Sequence, residues 1–244
     1  MSADATAAAQ RFYGRWSDFY DLLARSTPGL GRLRERAADA LALEPGDTVV
    51  EMGCGTGANF PHLRRRVGPA GRVVGVDFTR GMLERARSRS EAASPPRNAS
   101  GERTDPRAVD REGWENVHVV QGDATDVEFC EPPDAILATF VVGMLADPAR
   151  EVHRWADMLG PGGSLALLDA AQTTRWFGWP VNQAFRGLVV ASAPGDRKDY
   201  AEAPWTMLDR RVADARAALR ERASATTHTE HALGVVRVTG GRIE

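Results

Sequence analysis

TVVEMGCGTGAN, residues 48–59, holds a strand, a turn and the start of a helix. Val49 and Val50 are β-branched and apolar, as a strand buried on both faces requires. Glu51 stands at its end, and Gly53, Gly55 and Gly57 follow at alternate positions. Glycine adopts positive φ without strain and lacks a Cβ, so this turn can be tight and can let a ligand approach its backbone. Ala58 to Val67 then reads as a helix with Pro61 in its first turn. A strand, a glycine turn and a helix place a nucleotide-type site at the carboxyl end of a parallel strand, which implies a doubly wound α/β fold. The spacing is not the G-x-G-x-x-G that cradles a pyrophosphate. Glu51 ahead of the glycines would repel phosphate and suits a cationic amine.

Composition narrows the function further. The chain has 244 residues, 43% hydrophobic and 26% charged, which is ordinary for a globular α/β domain with a sizeable core. A net charge of −2 gives no strong field for nucleic acid, and no nucleic-acid partner is expected. Lys198 is the sole lysine among 31 basic residues. Cys54 and Cys130 lie in unrelated places without metal-ligand spacing, so no metal is expected and a reducing cytoplasm fits. The first residues, MSADATAAAQRF, lack the basic and apolar regions of a signal peptide, and no apolar run approaches a membrane span.

Working outward, residues 11–26 carry Phe12, Trp16, Phe19, Tyr20 and Leu23 at helical spacing. With a second helix over 31–43, residues 1–44 read as a helical lid in which Tyr20 reaches the ligand; the alternative for the first helix is ordinary core packing. The second strand, Gly71 to Asp77, ends 20 residues beyond Gly57. An acid there is placed to accept from ribose hydroxyls, with Phe78 beside it. A helix starts at Gly81. Residues 89–115 are rich in Pro, Ser, Arg and acids and read as a solvated insertion. The third strand, Val117 to Gln121, leads to Asp123 and Ala124, which can meet the edge of an adenine; the alternative for Asp123 is a turn cap.

The fourth strand reads Ala135 to Val142, with Thr139 near its carboxyl end. Asp147-Pro148 starts a helix to Met158, and LGPGG turns into a fifth strand, Ser164 to Asp169. Residues 170–207 are aromatic-rich without clear period and read as a substrate cover or a helical insertion. A charged helix over 208–222 and a hairpin turning at Leu233-Gly234 close the chain. His228 and His231 are three apart on a strand, so they point to opposite faces and do not chelate.

The run Glu51-x-Gly53-x-Gly55-x-Gly57, the acid Asp77, Asp123-Ala124, Thr139 and the LGPGG turn together resemble class I S-adenosylmethionine-dependent methyltransferases. The resemblance covers residues 12–239 and implies a Rossmann-like, seven-stranded, mostly parallel sheet ending in an antiparallel hairpin, in one domain. It implies S-adenosyl-L-methionine as cofactor, with Tyr20, Glu51, Gly53, Gly55, Thr56, Gly57, Asp77, Phe78, Asp123, Ala124 and Thr139 around it. Within that superfamily the chain looks most like the ubiquinone/menaquinone C-methyltransferases. The acceptor would then be a small lipophilic molecule such as a demethylquinone, met in transient contact with a membrane surface. A phenolic carbon nucleophile needs its hydroxyl deprotonated. Tyr20 and Tyr200 are the candidate bases, with Tyr13 and His153 behind them. Gly143-Met144 stands where that family carries Arg-Asn, and Ala-Pro-Trp205-Thr replaces its Tyr-Leu-x-Glu-Ser run. Phospholipid and other small-molecule N- or O-methyl transfer therefore stays open, as does a non-catalytic role for the cofactor site. A nicotinamide oxidoreductase is disfavoured, because Lys198 precedes Tyr200 in the wrong order and spacing.

Overall fold

The computed structural model describes residues 29–92, 114–192 and 202–244. Its strands are β1 (Thr48–Met52), β2 (Arg72–Asp77), β3 (Val117–Gln121), β4 (Ala135–Thr139), β5 (Ser164–Ala170), β6 (Ala223–His231) and β7 (Val236–Ile243). They form one sheet in the order β3-β2-β1-β4-β5-β7-β6. The pairs among β1 to β5 are parallel, and β7 runs antiparallel between β5 and β6. The sequence implied this architecture. The chain leaves β1 for β2 on one side and later returns as β4 on the other, so a topological switch point opens above β1 and β4.

The helices are α1 (Leu30–Asp39), α2 (Phe60–Val67), α3 (Arg80–Ala92), α4 (Pro148–Met158), α5 (Gly178–Ser192) and α6 (Pro204–Arg222). On one face of the sheet Ala37, Phe60, Leu63 and Leu83 from α1, α2 and α3 pack against Val49, Val73 and Leu137. On the other, Trp155 of α4 and Val212 and Leu219 of α6 pack against Val50, Ile136 and Leu167. Fully burying the Val, Leu, Ile and Phe side chains among them stabilises by about 1.5–3 kcal/mol each. The helix expected over 31–43 stops at Asp39, and Ala42 takes a left-handed φ of 49°.

One expectation needs larger correction. The fourth strand ends at Thr139 rather than Val142. Phe140 adopts φ 58°, its N–H donates to Leu168 O at 2.8 Å, and Val142–Met144 winds into one 3₁₀ turn. Residues 178–192 are helical, as the helical-insertion alternative had it, although the sequence showed no period. Phe185 is buried there, while Trp179 and Leu188 face outward, so apolar residues occupy both sides of α5 and erase the amphipathic signal. The lid residues 1–28, most of the insertion (93–113) and residues 193–201 of the cover lie outside the described residues. Tyr13, Tyr20 and Tyr200 therefore do too.

Candidate functional site

The site is built on the turn that follows β1. Gly53, Gly55 and Gly57 all have positive φ, at 65°, 53° and 70°. They serve different neighbours. A Cβ at Gly53 would fall inside Val141 Cγ2, and one at Gly57 would lie 2.6 Å from the Phe60 ring. A Cβ at Gly55 would meet nothing within 4 Å, so this is the glycine whose backbone stands open to a ligand.

Asp77, at the tip of β2, holds that open position. Its Oδ2 accepts from the Gly55 N–H at 2.9 Å and its Oδ1 from the Thr79 N–H at 2.8 Å. Its carbonyl accepts from the Gly122 N–H at 3.1 Å, which ties the tips of β2 and β3 together. Burial pushes the Asp77 carboxyl above the usual carboxylate range, and the two N–H groups oppose that. The Thr79 side chain opposes it too, and the carboxyl keeps accepting capacity for a further donor.

Glu51 lies beneath the turn and is fully buried. Its Oε1 accepts from Asn59 Nδ2, at the head of α2, and from Thr139 Oγ1 at 3.3 Å. Asn59 Nδ2 also reaches Thr139 Oγ1 at 3.0 Å. Thr139 is thus turned onto Glu51, which joins the glycine turn to the end of β4. Glu51 Oε2 and Asn59 Oδ1 are buried without partners. Burial holds the Glu51 carboxyl up at about 8, against the opposing hydrogen bond from Asn59 and the charge of Arg34.

The remaining sequence-chosen residues sit around this centre. Asp123 is exposed, and its Oδ1 accepts from the Thr125 N–H at 2.9 Å and Thr125 Oγ1 at 2.8 Å, which is the turn-capping geometry. The Ala124 carbonyl accepts from Trp155 Nε1 at 2.9 Å and Arg154 at 2.6 Å, which anchors the β3 exit to α4. Thr56 is buried in the turn, and Phe78 is half-buried with its carbonyl 3.3 Å from Gln121 Nε2. His153 faces Glu221 at 3.5 Å and joins α4 to α6, as its mid-helix position suggested. His228 Nδ1 meets Thr239 Oγ1 at 2.9 Å, whereas His231 Nε2 meets Thr229 Oγ1 at 2.9 Å.

Sequence reasoning missed Asn59 and Asp169. Asn59 was visible as an amide at a helix head, but its partner Thr139 is 80 residues away. Asp169, near the carboxyl end of β5, is buried with Oδ2 unpartnered, and burial pushes it up to about 7 against the charge of Arg216. Beyond it a polar bracket fixes the chain leaving β5. The Gln172 N–H donates to Asp209 Oδ1 at 2.8 Å, Arg186 Nε to Gln172 Oε1 at 2.5 Å, and the Thr173 N–H to Asn182 Oδ1 at 2.8 Å. Arg186 lies over the Trp205 ring, 5.5 Å from its centroid. Phe140 and Met144 give the β4 exit an apolar, partly exposed lip. A separate polar hollow beside Thr48, Arg64, Arg72 and Asn116 lies at the amino ends of β1 and β2, on the opposite edge of the sheet.

A family model described as a methyltransferase domain matches residues 23–217. The chain is 30% identical over 153 residues to the 2-phytyl-1,4-naphtoquinone methyltransferase of Trichormus variabilis, covering 63% of this chain and 56% of the relative. It is 28% identical over 142 residues to the demethylmenaquinone methyltransferase of Desulfitobacterium hafniense, covering 58% of this chain and 49% of the relative. The chain thus spans about half the length of these curated relatives. A crystal structure of a SAM-dependent methyltransferase from Aquifex aeolicus shares the fold at TM-score 0.55 and 17% identity, covering 92% of this chain and 98% of that one.

Proposed function

The chain belongs to the methyltransferase-domain family, and from that premise we propose that it is an S-adenosyl-L-methionine-dependent methyltransferase acting on a small lipophilic acceptor of the demethylquinone class. The observation that carries the reading is the buried Glu51 beneath an open glycine turn. A buried acid suits a cationic amino-acid end, and the glycine spacing is not that of a pyrophosphate cradle. The residues fit the cofactor. Glu51 Oε2 is an unused acceptor, and Gly55 leaves room for a close approach. Asp77 would hold the ribose hydroxyls and Asp123 with Ala124 the adenine edge. Glu51, Thr56 and Thr139 would face the methionine end, with Gly53, Gly57 and Phe78 lining it. Tyr20, which lies outside the described residues, would close over it.

Bound there, S-adenosyl-L-methionine supplies a methyl group already activated on a sulfonium sulfur. The chain's own task is alignment and exclusion of water. Alignment alone can contribute about 7–11 kcal/mol to lowering the barrier. The Gln172–Asp209–Arg186 bracket fixes one wall, and Phe140 and Met144 keep the lip apolar. Tyr20 and Tyr200 remain the candidates to take a phenolic proton. Calorimetry on the purified protein should show micromolar binding of S-adenosylmethionine and S-adenosylhomocysteine and none of NAD. NAD binding without the sulfur ligands would overturn the cofactor reading. Transfer of a radiolabelled methyl to lipid amines but not to demethylquinones would overturn the acceptor class.

A lipophilic acceptor is met at a membrane surface, and α5 supports such contact. Trp176 and Trp179 are 95% and 74% exposed beside the β5 exit. Tryptophan favours the lipid–water boundary. Arg175 is paired with Glu230 at 3.4 Å and Arg186 lies over Trp205, so the two indoles carry the contact. Among the described residues no helix is long and apolar enough to cross a membrane. Cosedimentation with anionic lipid vesicles should fall about tenfold in a Trp176→Ala/Trp179→Ala double variant, the equivalent of about 1.4 kcal/mol. Equal sedimentation of both proteins would remove α5 as the contact. Cytoplasmic residence is supported by the free, exposed Cys130 thiol.

A further inference from the structure

The pair Glu51–Asn59 leaves a particular combination of atoms unsatisfied. Asn59 Nδ2 donates to Glu51 Oε1, while Glu51 Oε2 and Asn59 Oδ1 are both buried acceptors with no donor. An ionised carboxylate cannot remedy this, because it only accepts. A protonated one can, since the hydroxyl at Oε2 becomes a donor and Asn59 Oδ1 is the acceptor left on the same amide. A donor at Oε2 and an unused acceptor on the amide already bonded to Oε1 are the complement of an acid–amide pair, which would use both unsatisfied atoms at once.

We propose that Glu51 carries a proton in the ligand-free site, paired with Asn59, and surrenders it to solvent when the cationic amino group of the ligand arrives. The exchange balances: the O–H bond at Oε2 breaks, the proton passes to buffer, and an N–H of the ligand ammonium becomes the new donor to Oε2. The buried site takes in a cation as it loses one, so the carboxylate is never left charged and unpaired. This rests on the reading of the site as one for S-adenosylmethionine.

Among the described residues, two charges face Glu51. Arg34 of α1 favours the ionised form and Asp77 of β2 disfavours it. Cys54 on the turn is itself kept as a thiol by burial. Asn59 and Thr139 are uncharged. Burial outweighs Arg34 and holds the carboxyl up at about 8, so the free site is protonated throughout the range below that.

The test is calorimetric titration of the wild-type protein with S-adenosylmethionine at pH 6.5, in buffers of different ionisation enthalpy. Close to one proton should be released per ligand bound, and affinity should strengthen roughly tenfold per pH unit between pH 5.5 and 6.5. Glu51→Gln, which keeps the shape and has no proton to lose, should abolish the buffer dependence. Binding without proton release in the wild type overturns the proposal and leaves the cofactor reading standing. No binding of S-adenosylmethionine or S-adenosylhomocysteine overturns the cofactor reading and this proposal with it. The wild-type titration is decisive even if the Gln variant fails to fold. An infrared band of a protonated buried carboxyl, present without ligand and lost on adding it, should accompany the release, and its absence from the ligand-free protein also overturns the proposal.

Discussion

Replacing Asp77 by Ala is expected to weaken S-adenosylmethionine binding at least about 100-fold and to lower stability by about 2–4 kcal/mol. The binding effect comes from two hydrogen bonds between ribose hydroxyls and a charged acceptor, each worth about 1.5–3 kcal/mol. The stability effect comes from the protein side of the same carboxylate. Gly55 N–H and Thr79 N–H both end on it, at 2.9 Å and 2.8 Å, and Ala leaves both donors unpaired. An orphaned buried donor costs about 1–3 kcal/mol, partly offset because a desolvated carboxylate is removed and because the half-buried Gly55 N–H lies nearer water than that of Thr79. Sequence alone predicts loss of binding with little change in fold; the two backbone contacts add the second effect. Asp77→Asn, which keeps one acceptor oxygen, should lose less stability than Ala. Affinity is measured by calorimetry well below the variant's melting temperature. Unchanged affinity in a folded variant would remove the ribose assignment, and an unchanged melting temperature would remove the bracing role.

The parts of this fold that were legible in the sequence are those where local pattern and tertiary environment agree. β1, β2 and β3 are short apolar runs between turn residues, and the structure places β1 and β3 at the residues the sequence marks. Asp77 could be located because a strand tip lies at a fixed distance from the glycine turn. Asp147 could be read as a cap because Pro148 follows it, and its Oδ1 accepts from the Arg150 N–H at 3.0 Å. The failures share one physical cause. Phe140-Val141-Val142 is as strand-prone as the residues before it, and only packing above β1 turns it away. The α5 sequence, GWPVNQAFRGLVVAS, contains Gly, Pro and β-branched residues, and it is helical because Phe185 is buried by the rest of the molecule. Asn59 needed Glu51 and Thr139 together, from a strand, a helix head and another strand. Such convergence has no local signature. Asp123 shows the reverse case, since its turn-capping contacts are local and were readable as an alternative.

Gly53→Ala should cost about 2–5 kcal/mol, from two sources that can be separated. A left-handed φ of 65° costs any L side chain about 1–2 kcal/mol. Forcing a methyl into a packed neighbour adds about 1–3 kcal/mol. The neighbour is Val141, which is 5% exposed and sits at the point where β4 breaks. Val141→Ala alone opens a cavity and should also destabilise. In the Gly53→Ala background it should instead recover about 1 kcal/mol or more, because it removes the atoms the new methyl meets. A double-mutant cycle by urea denaturation reads this coupling directly. Strict additivity would mean that Gly53 is needed for its dihedral alone and that Val141 yields freely. Strong coupling would mean that the glycine turn and the break in β4 are one packed unit. In that case Thr139, adjacent to the break, is held on Glu51 by the same contact, and Gly53→Ala should disturb the Glu51–Asn59–Thr139 cluster without touching any of its members.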